Sequence, residues 1–310
     1  MLRKSLLYLS DQPRIFRFVR NNRLARGFAR RFVPGETAAE AVVAARELNA
    51  TGMTCSLDIL GESVTDESEA RATTEAYLEL LDGIRDERLD SHVSLKLTAL
   101  GLDIDRDMCV ANLRTIVERA AALGTFVRID MESSDYTEVT LSIFEQGLQP
   151  SYPSNVGIVL QSALRRTTQD VEHAIRTSAR VRLCKGAYKE PATVAYPDKA
   201  DVDAAYVRQL KRLLDAGNYP GLATHDEAMI DAALRHVQEN GIPRERFEFQ
   251  MLYGIRRDLQ ERLVQDGYNV RVYVPFGSQW YPYLMRRLAE RPANVAFIAG
   301  NLVREFVRRR

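Results

Sequence analysis

The sequence predicts a (β/α)₈ barrel, and three observations indicate this fold. Eight short β-branched apolar runs alternate with stretches of helical periodicity. Every crossover is long enough to make neighbouring strands parallel, and the chain after a basic N-terminal stretch matches the roughly 250 residues that such a barrel needs. A doubly wound open sheet is the alternative, but no G-x-G-x-x-G follows the first strand to support its dinucleotide-binding form.

The elements follow one another in a regular order after this N-terminal stretch. The predicted strands are Met53–Leu60, His92–Ala99, Phe126–Glu132, Val156–Ala163, Val181–Tyr188, Gly221–His225, Phe247–Leu252 and Val270–Pro275. The predicted helices between them are Asp66–Arg88, Met108–Leu123, Tyr136–Gln146, Thr167–Arg180, Val202–Ala216, Glu227–Asn240 and Arg256–Gln265. Gly124, Gly217, Gly241 and Gly267 stand just past helical runs, where a left-handed residue ends a helix. We therefore expect an N-terminal helical segment over 1–45 and a barrel over 46–310, with a final helix at its mouth.

Composition excludes several classes of protein. The chain has 310 residues, 45% of them apolar and 27% charged, as in soluble globular proteins. Its net charge of +1 argues against whole-molecule nucleic-acid binding, which needs a clear positive excess. The scattered Cys55, Cys109 and Cys184 argue against a disulfide framework or a zinc site and fit a reducing compartment. No apolar run approaches the roughly 20 residues that span a bilayer, so we expect a cytoplasmic protein.

Arginines recur at a helical period in the first 31 residues. They are Arg14, Arg17, Arg20, Arg23, Arg26, Arg30 and Arg31. A solvated helix face is the commoner interpretation of such a pattern. The alternative is a surface that contacts anionic lipid on the inner face of a membrane.

Polar side chains alternate with apolar ones along the predicted strands, and the polar face points into the barrel. An ordinary barrel fills this space with branched apolar residues. Here five strands place Lys96, Asp130, Gln161, Arg182 and Tyr273 there. Internal ion pairs that only satisfy one another, for instance Lys96 with Asp130, are the structural alternative. Inward-pointing polar groups on five strands together favour a functional site, because such patterns concentrate there.

Three further patterns lie near strand ends. Gly186 and Ala187 let a flat or phosphorylated ligand approach the backbone, beside the positive charges of Arg182 and Lys185, and Thr224 and His225 close the sixth strand. Tyr283, Arg286 and Arg287 share one helix face and make a fork for a carboxylate. No second histidine or carboxylate stands at zinc-ligand spacing, so we predict no metal.

Seven motifs in order make the chain similar to the proline dehydrogenases, including the catalytic domain of the bifunctional bacterial proline-utilisation enzymes. The similarity runs from about Phe32 to Asn294. The motifs are Leu57-Asp-Ile-Leu-Gly-Glu62, Ser94-Leu-Lys-Leu97, Ile129-Asp-Met-Glu132, Arg182-Leu-Cys-Lys-Gly-Ala-Tyr188, Ala223-Thr-His225, Phe247-Glu-Phe-Gln-Met-Leu252 and Tyr283-Leu-Met-Arg-Arg287.

The resemblance implies a distorted (β/α)₈ barrel with FAD at the carboxyl ends of the strands. It implies FAD contacts from Met131, Gln161, Arg182, Lys185, Gly186, Ala187, Thr224 and His225, with Arg182 against flavin N5 and Asp130 supporting the flavin site. It also implies that the proline carboxylate pairs with Lys96, Arg286 and Arg287, and that Tyr188, Leu252, Tyr273 and Tyr283 wall the ring. Glu62 is expected to pair with Arg286 and close a gate over the substrate.

The implied reaction is the first step of proline catabolism to glutamate. Hydride passes from proline C5 to flavin N5 and gives Δ1-pyrroline-5-carboxylate, and a quinone reoxidises the flavin. A separate pyrroline-5-carboxylate dehydrogenase is the expected pathway partner, because the chain lacks room for the second domain of the bifunctional enzymes. Two alternatives remain open: a Schiff-base aldolase that uses Lys96 or Lys185, and a non-catalytic amino-acid-binding protein.

Overall fold

The computed structural model describes residue 27 and residues 29–290, with side chains as far as residue 285. The predicted basic helix face therefore lies outside the described residues, apart from Arg30 and Arg31. Arg30 pairs with Glu40 at 2.9 Å on the surface. In this described part, no helix combines the length and apolar character that crossing a membrane requires.

Eight parallel strands close into a barrel in chain order, which confirms the predicted fold. The strands are β1 Thr54–Ile59, β2 Ser91–Leu95, β3 Val127–Ile129, β4 Val156–Gln161, β5 Arg180–Cys184, β6 Gly221–Ala223, β7 Glu248–Leu252 and β8 Val270–Phe276. The first and last strands pair along their whole length, from Thr54 opposite Arg271 to Ile59 opposite Phe276. This pairing leaves no open edge in the barrel.

Helices follow each strand, and one more precedes the barrel. They are α1 Ala38–Ala50, α2 Glu67–Asp86, α3 Arg106–Ala122, α4 Ser134–Ile143, α5 Thr167–Arg176, α6 Lys199–Ala216, α7 Glu227–Glu239, α8 Arg257–Gln265 and α9 Trp280–Glu290. A π-helical stretch, Phe144–Leu148, continues α4. The expected boundary between residues 45 and 46 falls inside α1, and that division stays a prediction.

Side-chain caps determine where several helices begin at the mouth of the barrel. Asp66 accepts a hydrogen bond from the backbone N–H of Ser68 at 2.7 Å, and Asp105 accepts from Met108 at 2.7 Å. Asp226 accepts from the Ala228 N–H at 3.2 Å. Each such cap is worth about 1 kcal/mol, because it satisfies a backbone donor that the helix leaves open. The caps thereby hold the loops that surround the strand ends.

The first six strands end earlier than the sequence predicted. β2 stops at Leu95, and the chain turns through a 3₁₀ segment, Thr98–Leu100, that ends at Gly101 with φ +94°. Glu132 accepts hydrogen bonds from the Thr98 hydroxyl and from its N–H, at 3.2 Å, so this turn is tied to the end of β3. Lys96 and Asp130 consequently lie just past their strands, where a barrel carries its functional groups.

One predicted helix end is wrong. Gly124, Gly241 and Gly267 have the expected positive φ, but Gly217 has φ −78° and ψ 161°. Its role is steric, because a Cβ there would lie 2.5 Å from the Leu213 carbonyl oxygen.

The apolar core lies between the barrel and its helices. Outward strand residues such as Leu57, Val93 and Val272 are fully buried in it. A second cluster forms where α9 packs on the chain before α1 and on the end of β1. Its members are Ala29, Val33, Leu60, Trp280, Tyr281, Tyr283, Leu284 and Met285. Burial of a large apolar side chain stabilises the fold by about 1.5–3 kcal/mol, so this cluster holds α9 near the mouth.

Candidate active site

Asp130 joins four strands at the carboxyl end of the barrel. Its Oδ1 accepts hydrogen bonds from Ser94 Oγ at 2.7 Å and from Arg182 Nη1 at 2.6 Å. Its Oδ2 accepts from the Tyr273 hydroxyl at 2.8 Å. The structure therefore brings together three of the five polar residues that alternation predicted to point inward, Asp130, Arg182 and Tyr273.

Arg182 is held by hydrogen bonds on every side of its guanidinium. Nη1 also lies 3.1 Å from Ser94 Oγ, Nη2 donates to Ser56 Oγ at 3.3 Å, and Nε donates to Gln250 Oε1. The guanidinium carbon lies 5.2 Å from the centroid of the Tyr273 ring. A fixed cation of this kind needs no reorganisation when negative charge develops near it.

Lys96 pairs with Asp58 rather than with Asp130, so the pairing suggested from sequence is wrong. Its ammonium lies 3.2 and 3.3 Å from the two carboxylate oxygens of Asp58. Burial raises the pKa of Asp58 to about 6, although Lys96 opposes the shift. Burial acts to lower the pKa of Lys96, but the Asp58 and Asp130 carboxylates outweigh it and raise that pKa.

Two predicted substrate residues lie close enough for their charges to act on Lys96. Glu62 and Tyr188 both contribute to the raised pKa of that lysine. Tyr188 is 38% exposed, beyond the end of β5, and so belongs to the outer part of the mouth. Glu62 lies on the loop after β1.

Gln161 and Gly186 form a shelf between β4 and β5. Gln161 Nε2 donates to the Glu132 carbonyl oxygen at 2.8 Å, which orients the amide. Gly186 has φ +106°, and a Cβ there would lie 3.1 Å from Gln161 Oε1. Ala187 beside it is exposed. A flat ligand therefore has access to bare backbone and to an oriented amide oxygen.

Lys185 is neutralised by two carboxylates, although the sequence analysis treated it as a positive charge available to a ligand. Its ammonium lies 2.5 Å from Asp203 and 2.7 Å from Asp226. The hydrogen bond from Lys185 holds the pKa of Asp226 below its ordinary value. Because Asp226 also caps α7, this ion pair connects the loop after β5 to the loop after β6.

Thr224, His225 and Leu252 meet at the ends of β6 and β7. The Leu252 N–H donates to His225 Nε2 at 2.8 Å, so the neutral ring carries its proton on Nδ1. Thr224 Oγ1 accepts from the Asp226 N–H at 3.1 Å and is thereby oriented. Met131, the remaining predicted contact of this group, is 7% exposed at the edge of the core.

The final helix brings Tyr283 to β8. Tyr283 is 8% exposed in the cluster under α9. Burial is the main cause of the raised pKa of Tyr273, and Tyr283 is close enough to contribute to it. Arg286 and Arg287 belong to the same helix, but their side chains lie outside the described residues. The carboxylate fork and the gate between Glu62 and Arg286 therefore stay predictions.

Several charged and polar residues of the interior were missed from sequence. They are Ser56, Asp58, Glu248 and Gln250. The signal was present in β1 and β7, where Ser56 and Asp58, and then Glu248 and Gln250, alternate with apolar neighbours. The predicted inward-facing residues came from other strands than these two. Among the described residues, no three His, Cys, Asp or Glu side chains are grouped to hold a metal.

Comparison with known proteins gives a consistent result. A family model described as proline dehydrogenase matches residues 41–300. Proline dehydrogenase 1 of Bacillus subtilis subsp. natto is 41% identical over 98% of this chain and 100% of its own length. Proline dehydrogenase of Deinococcus radiodurans is 39% identical, with 98% of each chain covered.

A solved structure of a longer protein has the same fold. The crystal structure of proline utilization A from Bdellovibrio bacteriovorus, inactivated by N-propargylglycine, superposes with a TM-score of 0.80 at 29% identity. The match covers 85% of this chain and 32% of that protein, so this chain corresponds to about a third of it.

Proposed function

The chain belongs to the proline dehydrogenase family, and from this membership we propose that it catalyses the FAD-dependent oxidation of L-proline to Δ1-pyrroline-5-carboxylate, the first step of proline catabolism. The observation that carries the proposal is the network of Asp130, Arg182 and Tyr273 at the mouth of the barrel. This network fixes the orientation of the Arg182 guanidinium at the carboxyl end of the strands, where barrel enzymes bind their ligands.

The residues around this network fit a flavin. Gly186 offers backbone that any larger residue would cover, and Gln161 Oε1 is aimed beside it. We propose that FAD is held by Met131, Gln161, Arg182, Lys185, Gly186, Ala187, Thr224 and His225. Bound FAD would supply the hydride acceptor at N5, and a quinone would reoxidise it. Arg182, fixed by Asp130, would favour negative charge on the reduced ring.

The substrate side of the proposal rests on Lys96. Its raised pKa keeps the ammonium charged over the physiological range, as a carboxylate partner requires. We propose that Lys96, Arg286 and Arg287 bind the proline carboxylate. Tyr188, Leu252, Tyr273 and Tyr283 would wall the ring and hold C5 for transfer, since positioning supplies much of the rate. Glu62 would close the gate with Arg286.

The same pKa argues against the aldolase alternative. A Schiff base requires a neutral amine, whereas the carboxylates around Lys96 favour the ammonium. Lys185 is likewise bound by Asp203 and Asp226. If sodium borohydride with a carbonyl substrate trapped either lysine covalently, the dehydrogenase proposal would be overturned.

The basic N-terminal stretch and the quinone suggest peripheral contact with the inner face of a membrane, where quinones reside. A separate pyrroline-5-carboxylate dehydrogenase would consume the product. Sedimentation with anionic vesicles, compared between the full chain and a variant with Arg14, Arg17 and Arg20 changed to glutamine, tests the membrane contact. Equal sedimentation would exclude a role for these arginines.

The decisive test is anaerobic addition of L-proline to the purified holoprotein. We expect the flavin absorbance to bleach with proline and to return when a soluble quinone is added. An Arg286→Ala variant should keep its FAD and show a greatly increased KM for proline. A yellow protein that proline does not bleach, or an unchanged KM in the variant, would contradict the corresponding part of the proposal.

A further inference from the structure

The amino-terminal end of the barrel interior contains a cluster of cations around one aromatic ring. The guanidinium carbons of Arg128 and Arg180 lie 4.8 and 4.4 Å from the centroid of the Phe126 ring. The His92 ring lies 5.2 Å from the same centroid. Three polar side chains from β2, β3 and β5 therefore share one neighbour, and Arg128 and Arg180 stand two residues before Asp130 and Arg182 of the candidate active site.

Each of these three side chains has a buried nitrogen without a hydrogen-bond partner in the described part of the chain. The atoms are Arg128 Nε, Arg180 Nε and His92 Nε2. Arg128, which is 1% exposed, is otherwise bonded only to backbone, through Nη1 to the carbonyl oxygens of Ile158 at 2.9 Å and Arg180 at 2.6 Å. Buried polar atoms are nearly always satisfied, and the two arginine Nε atoms carry N–H groups, so this arrangement around one ring indicates that an acceptor binds here.

The charges at this end do not balance. Glu248 is the carboxylate of the region, and it is already bonded to Arg271 at 2.9 and 3.1 Å. Although burial acts to raise the pKa of Glu248, Arg271 holds it below its ordinary value. Asp90 also acts on Arg271. Two further guanidiniums, those of Arg128 and Arg180, have no carboxylate within hydrogen-bonding distance among the described residues.

The neighbouring titratable groups do not supply the missing negative charge. Burial, followed by the charge of Arg271, lowers the pKa of His92 well below its ordinary value, so this ring is neutral. Tyr219, whose ring centroid lies 4.8 Å from the Arg180 guanidinium, has its pKa raised by burial to about 12 and is also neutral. Burial lowers the pKa of Arg128, but a guanidinium keeps its proton in proteins.

We propose that the amino-terminal end of the barrel binds a small monatomic anion of the chloride class, held by Arg128 and Arg180 with His92. The packing beside Arg128 is close. Gly157 faces the cluster, and a Cβ there would lie 2.4 Å from the Arg180 carbonyl oxygen and 2.8 Å from Arg128 Nη1. A water molecule would satisfy the donors without balancing the charge.

The first test compares anions by their effect on the thermal stability of the holoprotein. An anion that binds only the folded state raises Tm with the logarithm of its concentration above its Kd. We expect sodium chloride and sodium bromide to raise Tm more than sodium gluconate at equal ionic strength. An Arg180→Gln variant should lose this difference.

Arg165→Gln is the matched control. Arg165 stacks on Tyr196 at 4.8 Å on the surface, so its removal takes away an arginine and a ring contact but leaves the cluster intact. The control should keep the full chloride effect. Equal responses of the wild-type protein to chloride and gluconate, or loss of the effect in both variants, would overturn the proposal.

A second measurement does not depend on the folding of a variant. Crystals of the wild-type holoprotein soaked in sodium bromide should show an anomalous peak within hydrogen-bonding distance of Arg128 and Arg180. An ordinary water in well-resolved density at that position, with no anomalous peak, would leave the cluster hydrated but without an anion and would also overturn the proposal. Neither measurement depends on turnover of proline, so its result is independent of the proposed function.

Discussion

The two ends of the barrel interior are both lined by cationic side chains, but the positive charges are neutralised differently at each end. At the carboxyl end, Arg182 lies 2.6 Å from Asp130 and Lys96 lies 3.2 Å from Asp58. At the amino end, Arg271 has Glu248, whereas Arg128 relies on backbone carbonyls in the described structure. Charged residues inside the barrel are therefore not by themselves evidence of an active site. The end that we propose to be catalytic is distinguished by its carboxylate network and by its exposed rim.

The position along the strand explains this difference. Residues just past the strand ends, such as Lys96 and Asp130, reach loops that vary without disturbing the barrel. Residues near the strand starts, such as Arg271, are buried inside the barrel away from these loops, and we expect them to affect stability more than activity. We therefore expect equivalent substitutions at the two ends to separate activity from stability.

The largest expected effect is on stability, from Glu248→Gln at the amino end. Removal of this carboxylate leaves Arg271 buried without its counter-charge and should reduce the free energy of unfolding by about 3–5 kcal/mol. Urea denaturation measures the change. The Gln250 amide donates to Glu248 and accepts from Arg182 Nε, so the folded fraction should keep kcat/KM for proline within a few-fold rather than unchanged.

Glu227→Gln is the control for this substitution. Glu227 is a surface residue 3.0 Å from Arg256, with half of its side chain exposed, and its loss should change stability by less than about 1 kcal/mol. A similar loss in both variants would mean that the buried pair contributes no more than a surface pair. A large loss of activity in folded Glu248→Gln would contradict the separation of the two ends.

The next effect is on catalysis, from Arg182→Met at the carboxyl end. Removal of a fixed cation from developing negative charge should reduce kcat/KM for proline by about 10²–10³-fold. Steady-state kinetics with a soluble quinone, corrected for bound flavin, measure it. Arg271→Met removes an equally buried arginine at the other end, and its folded fraction should retain activity within a few-fold.

A third effect is the pH dependence of stability that Asp58 contributes. Its pKa in the folded protein is about 6, above its ordinary value of 3.8, so the folded state favours the protonated form. The stabilisation of the folded state by this proton binding is fully present below about pH 3.8 and is lost as the pH rises through about 6. The stability of the wild-type protein relative to Asp58→Asn should thus fall by roughly 3 kcal/mol across this window.

Urea denaturation at pH 4, 5, 6 and 7 measures this difference. Asp86→Asn is the control, because a hydrogen bond from Arg85 lowers the pKa of Asp86 and gives its pH dependence the opposite sign. A difference between the wild-type protein and Asp58→Asn that does not vary with pH would show that Asp58 stays ionised throughout.

The sequence predicted the fold and the inward direction of Asp130, Arg182 and Tyr273, because alternation along a strand is a local property. It did not predict which charges pair. Asp58 lies opposite Ser94 in the register of β1 and β2, and Lys96 reaches back to it from two residues further along. Such partners depend on barrel closure and on where each strand ends. Those features arise from tertiary structure, as the early end of β2 shows.

The smallest expected effect compares two buried tyrosine hydroxyls. The Tyr273 hydroxyl donates to Asp130 at 2.8 Å, whereas the buried Tyr206 hydroxyl has no partner in the described structure. Tyr273→Phe should therefore lower the free energy of unfolding by about 1 kcal/mol, because Asp130 loses a donor. Tyr206→Phe removes an unsatisfied polar group and should be neutral or stabilising, again measured by urea denaturation. Equal losses in the two variants would show that the surroundings of the phenol ring, and not the hydrogen bond to Asp130, determine the change in the free energy of unfolding. Tyr273 would then line the barrel mouth without holding the Asp130 carboxylate in place.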